Sequence, residues 1–139
     1  EVASKIDSII EFSECEKCRV WAVNPNHPIC KDVPHNFLVE HEEMYGEPFV
    51  IPEPDETVFI SWYEGGNVFR SGVTYHRGAG KIFYFQNGHE AYPNYYDKNV
   101  LQVIKNAVHW AYNPNKVVMD CWQQVVPAEK IEGYDPSKA

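Results

Sequence analysis

Residues 57–86 read TVFISWY, EGGN, VFRSGVTYH, RGAG and KIFYFQ without interruption. Three runs rich in β-branched and aromatic residues are thus separated by two short breaks that contain glycine. Glycine supplies the positive φ that tight hairpins need, so the pattern predicts three strands joined by two turns, with Gly66 or Gly80 at positive φ. The result is an antiparallel meander. Its last run is apolar at every one of Ile82, Phe83, Tyr84 and Phe85. That predicts a strand inside a sheet covered on both sides.

Local pattern extends the reading in both directions. CRVWAVN predicts a strand over Arg19 to Val23, stopped by the two prolines of NPNHP, where His27 fixes a turn. NFLVEHEE alternates Phe37, Val39 and His41 against Leu38 and Glu40, a strand with one buried face. GEPFVIPEPDE holds three prolines and is irregular loop. From Asp97 the period becomes 3.6. Val100, Leu101, Ile104, Ala107, Val108 and Ala111 form an apolar stripe, with Asp97 as N-cap and the helix ending at Asn113. Further out, SKIDSIIEF suggests a short amphipathic helix and KVVMDCW another strand, before a polar tail. A sheet with a helix on it is an α/β arrangement.

Length and charge narrow the function. At 139 residues the chain is one domain's worth, and its net charge is −8 with no Lys/Arg cluster. A nucleic-acid partner would need a positive stripe, so a small neutral or cationic molecule, or another protein, fits better. No apolar run reaches the roughly 20 residues that span a bilayer, and no secretory signal is visible. The setting these features suggest is the cytoplasm. Cysteines stand at 15, 18, 30 and 121. The pair in CEKC lacks a second close pair for structural zinc and precedes a strand rather than opening a helix, so incidental thiols fit better than a metal or redox motif.

WAVNPNHPI, EHEEMYGEPFVIPEPDETVFISWYEGGNVFRSG, GKIFYFQNGHEAYPNYY and VLQVIKNAVHWA together resemble the trehalose-utilisation, ThuA-like family, over about residues 21–111. The resemblance implies a flavodoxin-like sheet of the class I glutamine amidotransferase kind. It implies that only the C-terminal portion of that sheet is present, as a single partial domain with residues 114–139 as an extension. The absence of an initiating Met at Glu1 points the same way. Glutamine hydrolysis does not carry over, because no cysteine lies in a Gly-x-Cys-x-Gly elbow. What carries over is a role in trehalose or related disaccharide breakdown, extending to a 3-keto-glycoside.

In FYFQNGHEAYP, His89 and Glu90 fall just past the end of a strand, where ligands of α/β sheets gather. His89 is the leading candidate for a catalytic or metal-binding imidazole, with Glu90 beside it. The plainer reading is a histidine that ties its loop to the backbone. On the strand reading, His41 and Glu43 point to one side about 7 Å apart, at twice the strand rise. They are an imidazole oriented by a carboxylate, or two ligands of a divalent metal such as zinc that His41 would share with His89, or a strand end with solvated acids. Tyr45, Tyr92 and Trp62, with Tyr63, Tyr95 and Tyr96, could wall a sugar, or they are ordinary core and rim aromatics. His35, His76 and His109 have no nearby carboxylate cluster and read as structural or exposed. Two functions stand side by side: an enzyme acting on a sugar by His/Glu acid–base chemistry, with Glu43, His89 and Glu90 as catalytic groups, and a non-catalytic sugar-binding or assembly subunit. A half-domain would leave apolar surface bare, so its missing half or a second copy is the expected protein partner.

Overall fold

The computed structural model describes residues 16–115. The helix expected in SKIDSIIEF, the strand in KVVMDCW, and Cys15 and Cys121 lie outside the described residues. Five strands, β1 (Glu16–Ala22), β2 (Asn36–Glu42), β3 (Glu56–Tyr63), β4 (Val68–Arg77) and β5 (Gly80–Phe85), form one sheet in the order β2-β1-β3-β4-β5. Every neighbouring pair is antiparallel. One α-helix, α1 (Lys98–Ala111), follows β5. The fold is therefore α/β, a curled antiparallel sheet with a helix.

The meander lies where its turn residues put it. Gly66 has φ +91° in the first turn; in the second the positive φ belongs to Gly78 (+57°) rather than Gly80. Gly80 instead opens β5. The strand starting in CRVWAVN begins earlier than expected, at Glu16, and ends at Ala22. Residues 43–55 have no regular strand or helix, as their prolines require. They are tied to β4 by Arg70, whose Nε and Nη2 donate to Glu47 Oε1 and Oε2 at 2.7 and 3.1 Å.

The strand covered on both faces is β4, not β5. Phe69, Ser71, Gly72, Val73 and Thr74 are all buried, whereas β5 is an edge strand with no buried residue among the described ones. Small and hydroxyl side chains disguise β4 in the sequence, while the aromatics of β5 exaggerate its burial. They are half-buried: Phe83 and Phe85 stack at 5.7 Å and meet Phe59 at 6.5 and 5.9 Å. Gly72 makes room for Phe59, since a Cβ there would lie 2.7 Å from its ring.

Asp97 caps α1 as expected, its Oδ1 accepting from Asn99 and Val100 N–H at 2.8 and 3.0 Å. The helix ends at Ala111, short of the expected Asn113. Its buried face is Val100, Val103 and Asn106; Leu101 and Val108 of the expected stripe are exposed, at 48% and 65%. The rotation has a polar cause. Asn106 Nδ2 donates to the carbonyls of Ile29 and Lys31 at 2.9 and 2.6 Å, so an amide occupies a position that apolar periodicity would leave to solvent. Those carbonyls belong to the 3₁₀ turn Pro28–Cys30 and its end, which His27 opens by accepting the Ile29 N–H at Nδ1, 3.2 Å.

Candidate functional site

β2, β3 and β5 run in one direction, because each is antiparallel to a shared neighbour. Their C-terminal ends converge, and the sheet curls until its two edges touch. Gln86, just past β5, donates from Nε2 to the carbonyl of Glu43 at 3.1 Å, and Tyr63 at the end of β3 donates to Gln86 Oε1 at 2.7 Å. Candidate residues from opposite edges of the sheet meet here.

The decisive local feature is a bulge in β2. Glu16 pairs with Glu42, but Cys18 pairs with Val39, so three steps on β2 oppose two on β1. One extra residue reverses the alternation. Phe37 and Val39 face inward as expected, but His41 turns outward and Glu42 takes the interior position, fully buried. The expectation that His41 shares the buried face is corrected by this phase change.

His41 nevertheless stands at the site. Its ring lies 5.8 Å from the Tyr92 ring, and the His89 ring lies 4.9 Å from the same tyrosine. The separation of the imidazole centroids cannot exceed the sum of those distances. His89 is mostly buried and its Nδ1 accepts the Ala91 N–H at 3.0 Å. The neutral ring then carries its proton on Nε2 and presents a donor there. Glu90 is almost wholly exposed and its nearest oxygen is 3.8 Å from that same Nδ1, a position already used by Ala91.

Glu43 is engaged by a tyrosine. Its Oε2 accepts from the Tyr45 hydroxyl at 3.1 Å. Burial, then the Glu43 carboxylate beside it, pushes the Tyr45 phenol up to about 12, so it stays a donor at any physiological pH. The Tyr45 ring packs on Phe69 and Phe49 at 5.5 and 6.4 Å. Trp62 is placed elsewhere. It pairs with Arg19 on the sheet face opposite Tyr63 and Cys18, half-exposed in a shallow hollow with Leu38 and Lys17. Tyr95 backs the His89 loop, with Gly88 against its ring.

Sequence reasoning passes over Glu42 and Asn87. Glu42 Oε2 accepts from Gly88 N–H at 3.1 Å and from Asn87 Nδ2 at 3.3 Å, and Oε1 accepts from Glu43 N–H at 3.2 Å. Burial raises its carboxyl above the ordinary glutamate range, while these donors and the charge of His89 pull the other way. Asn87 also donates to Cys18 Sγ at 3.4 Å. Cys18 and Cys30 are buried free thiols, both pushed up by burial, Cys30 to about 11, so neither is a ready nucleophile. The one hint of Glu42 in the sequence is the run of acids itself, since one of three neighbours in a strand must face inward.

Among the described residues no three His, Cys, Asp or Glu side chains group around a point that could hold a metal ion. His41 and His89 would be two donors without a third, and the residues present do not fit a complete zinc site. No helix among the described residues is long and apolar enough to cross a membrane.

The chain matches the family described as ThuA, Trehalose utilisation, over residues 8–111. It belongs to the ThuA family. The matched stretch contains β1 to β5, α1 and every residue of the imidazole site. No curated protein matches the chain.

Proposed function

We propose that the convergent ends of β2 and β5 form a saccharide site, in which a disaccharide related to trehalose, or its 3-keto derivative, lies against Tyr92 between His41 and His89. The observation that carries this is the pair of imidazoles ranged about one tyrosine ring, 5.8 and 4.9 Å from it, in a chain of the ThuA family. An aromatic face with polar edges suits a polyol, whose C–H faces stack while its hydroxyls find donors and acceptors. Tyr45 and Glu43 extend the polar rim from the β2 side. His89 Nε2–H donates to a ligand oxygen, or the neutral His41 ring removes a proton next to a carbonyl, which is general acid–base chemistry at near-neutral pH. A flavodoxin-like, amidotransferase-like sheet belongs to the same reading and rests on the family; the strands described here contribute antiparallel pairs to it.

A non-catalytic sugar-binding role has its own support. Glu90 points to solvent and does not orient His89, whose Nδ1 is spent on the backbone. That leaves a donor suited to holding a hydroxyl rather than a tuned acid–base pair.

The test is titration of the full chain with trehalose and with a 3-keto-disaccharide, following the ring signals of His41 and His89 by NMR and product by chromatography. Saturable shifts of both histidines are expected, abolished by Tyr92→Ala. Turnover lost on His89→Ala would make the site catalytic; binding without turnover would favour the subunit role. No shift of either histidine with either sugar would overturn the site.

A further inference from the structure

Glu42 is the fully buried acid among the described residues, and no lysine or arginine among them pairs with it. A buried carboxylate that no lysine or arginine offsets is costly, and an apolar residue would fill the position more cheaply. Its partners show what the charge does there. Two of the three donors, Gly88 N–H at 3.1 Å and Asn87 Nδ2 at 3.3 Å, belong to the segment immediately before His89. Glu42 sits on one edge strand of the sheet and that segment follows the other, with β1, β3 and β4 between them. The segment is also shaped to be held. Gly88 has φ +148°, and a Cβ there would come within 2.5 Å of the Tyr95 ring, so its backbone is pressed between that ring and the carboxylate.

We propose that Glu42 is a positioning residue for His89: by accepting from Gly88 N–H and the Asn87 amide, its carboxylate sets the height and orientation of the loop on which the imidazole stands, and so its spacing from Tyr92 and His41. The role rests on the saccharide reading of that imidazole pair. Glu42 touches no ligand in it; it acts through the two residues that precede the imidazole. A glutamine has the same shape but one acceptor oxygen: with that oxygen at the Oε2 position its NH₂ meets the Glu43 N–H, and with it at the Oε1 position its NH₂ meets both Gly88 N–H and the Asn87 NH₂, donor against donor either way. An aspartate keeps the charge and draws it back by one methylene.

Full-length Glu42→Gln and Glu42→Asp, compared by NMR with the unmodified chain, decide the matter. The readouts are the Gly88 amide signal and its hydrogen exchange, the pH titration of the His89 ring, and trehalose affinity. Glu42→Gln is expected to shift and deprotect the Gly88 amide and displace the His89 titration. It should weaken trehalose binding about tenfold, the lower end of the loss seen when the partner that orients a metal-bound histidine is removed. Glu42→Asp should recover part of the binding. A Gly88 amide that moves while His89 titration and binding stay as they were would reduce Glu42 to a structural tie and overturn the proposal. Should Glu42→Gln not fold, Asn87→Ala removes one donor and leaves the Gly88 bond; it should shift the His89 titration in the same sense by less, and an unchanged titration overturns the proposal equally. If the unmodified chain binds no trehalose, the saccharide reading falls, and positioning is decided by the His89 titration alone. If both chains bind alike, positioning falls and the saccharide reading stands.

Discussion

Gly88 and Gly66 both have positive φ, yet they meet different surroundings. Nothing lies within 4 Å of a Cβ built on Gly66, whereas one on Gly88 would strike the Tyr95 ring at 2.5 Å. Gly66→Ala should therefore cost backbone strain alone, about 1 kcal/mol. Gly88→Ala should add a clash and cost about 2 kcal/mol or more. Urea unfolding of the two variants checks the order; equal losses would mean that the Tyr95 ring moves aside freely. Two glutamates give opposite pH signatures. Burial holds the Glu42 carboxyl above its unfolded value, so the folded state binds more protons and the Glu42 contribution to stability is lost as pH rises through its folded pKa. Arg70 holds Glu47 below its unfolded value, so that contribution is lost as pH falls through the folded pKa. Glu42→Gln should flatten the first dependence and Arg70→Met the second, read as denaturation midpoints from about pH 3 to 8.

At the scale of elements, two side chains hold α1 in place for reasons of different range. Asp97 satisfies two N–H groups of its own first turn, a local device legible from an acid standing before the periodic run. Asp97→Ala should cost about 1 kcal/mol. Asn106 satisfies two carbonyls 75 and 77 residues away, and nothing near it in sequence signals that bond. Asn106→Leu would improve the apolar pattern of the helix. It should nevertheless destabilise by about 1–3 kcal/mol, because the buried Ile29 carbonyl would lose that donor. Thermal unfolding monitored by circular dichroism tests both, and a stabilising Asn106→Leu would show that apolar periodicity does govern the helix's rotation. The helix's existence and start are thus readable from the sequence, whereas its rotation is set by the turn it packs on.

For the molecule as a whole, the curl of the sheet is what brings the candidate residues together. Gln86 bridges Tyr63 on β3 and the Glu43 carbonyl beyond β2, linking the sheet's edges through its side chain. Gln86→Ala should loosen that closure. Hydrogen exchange at Gly88 and at the end of β2 should then rise several-fold, while the centre of β4, buried on both faces, exchanges as before. Uniform acceleration across all five strands would mean that Gln86 supports global stability and not the closure. An apolar groove of about 330 Å³ remains between β5 and α1, lined by Phe83, Phe85, Ile104 and Val108.

Strands β2 to β5, their glycine turns, the proline-rich loop and the capped helix were determined by the sequence alone, because each depends on periodicity and turn chemistry within a few residues. Strand spacing and the place of FYFQNGHEAYP after a strand raised His41, Glu43 and His89 as candidates, with Tyr92 among the aromatics. What the tertiary structure decided was phase, rotation and closure. A single extra residue in β2, visible only in its pairing with β1, exchanges His41 for Glu42 on the inner face. The amide of Asn106 turns α1 toward a distant turn, and bulges with a curl bring the far edges of the sheet together. Each of these depends on hydrogen bonds between residues widely separated along the chain, and local pattern carries no information about such partners until the sheet has formed.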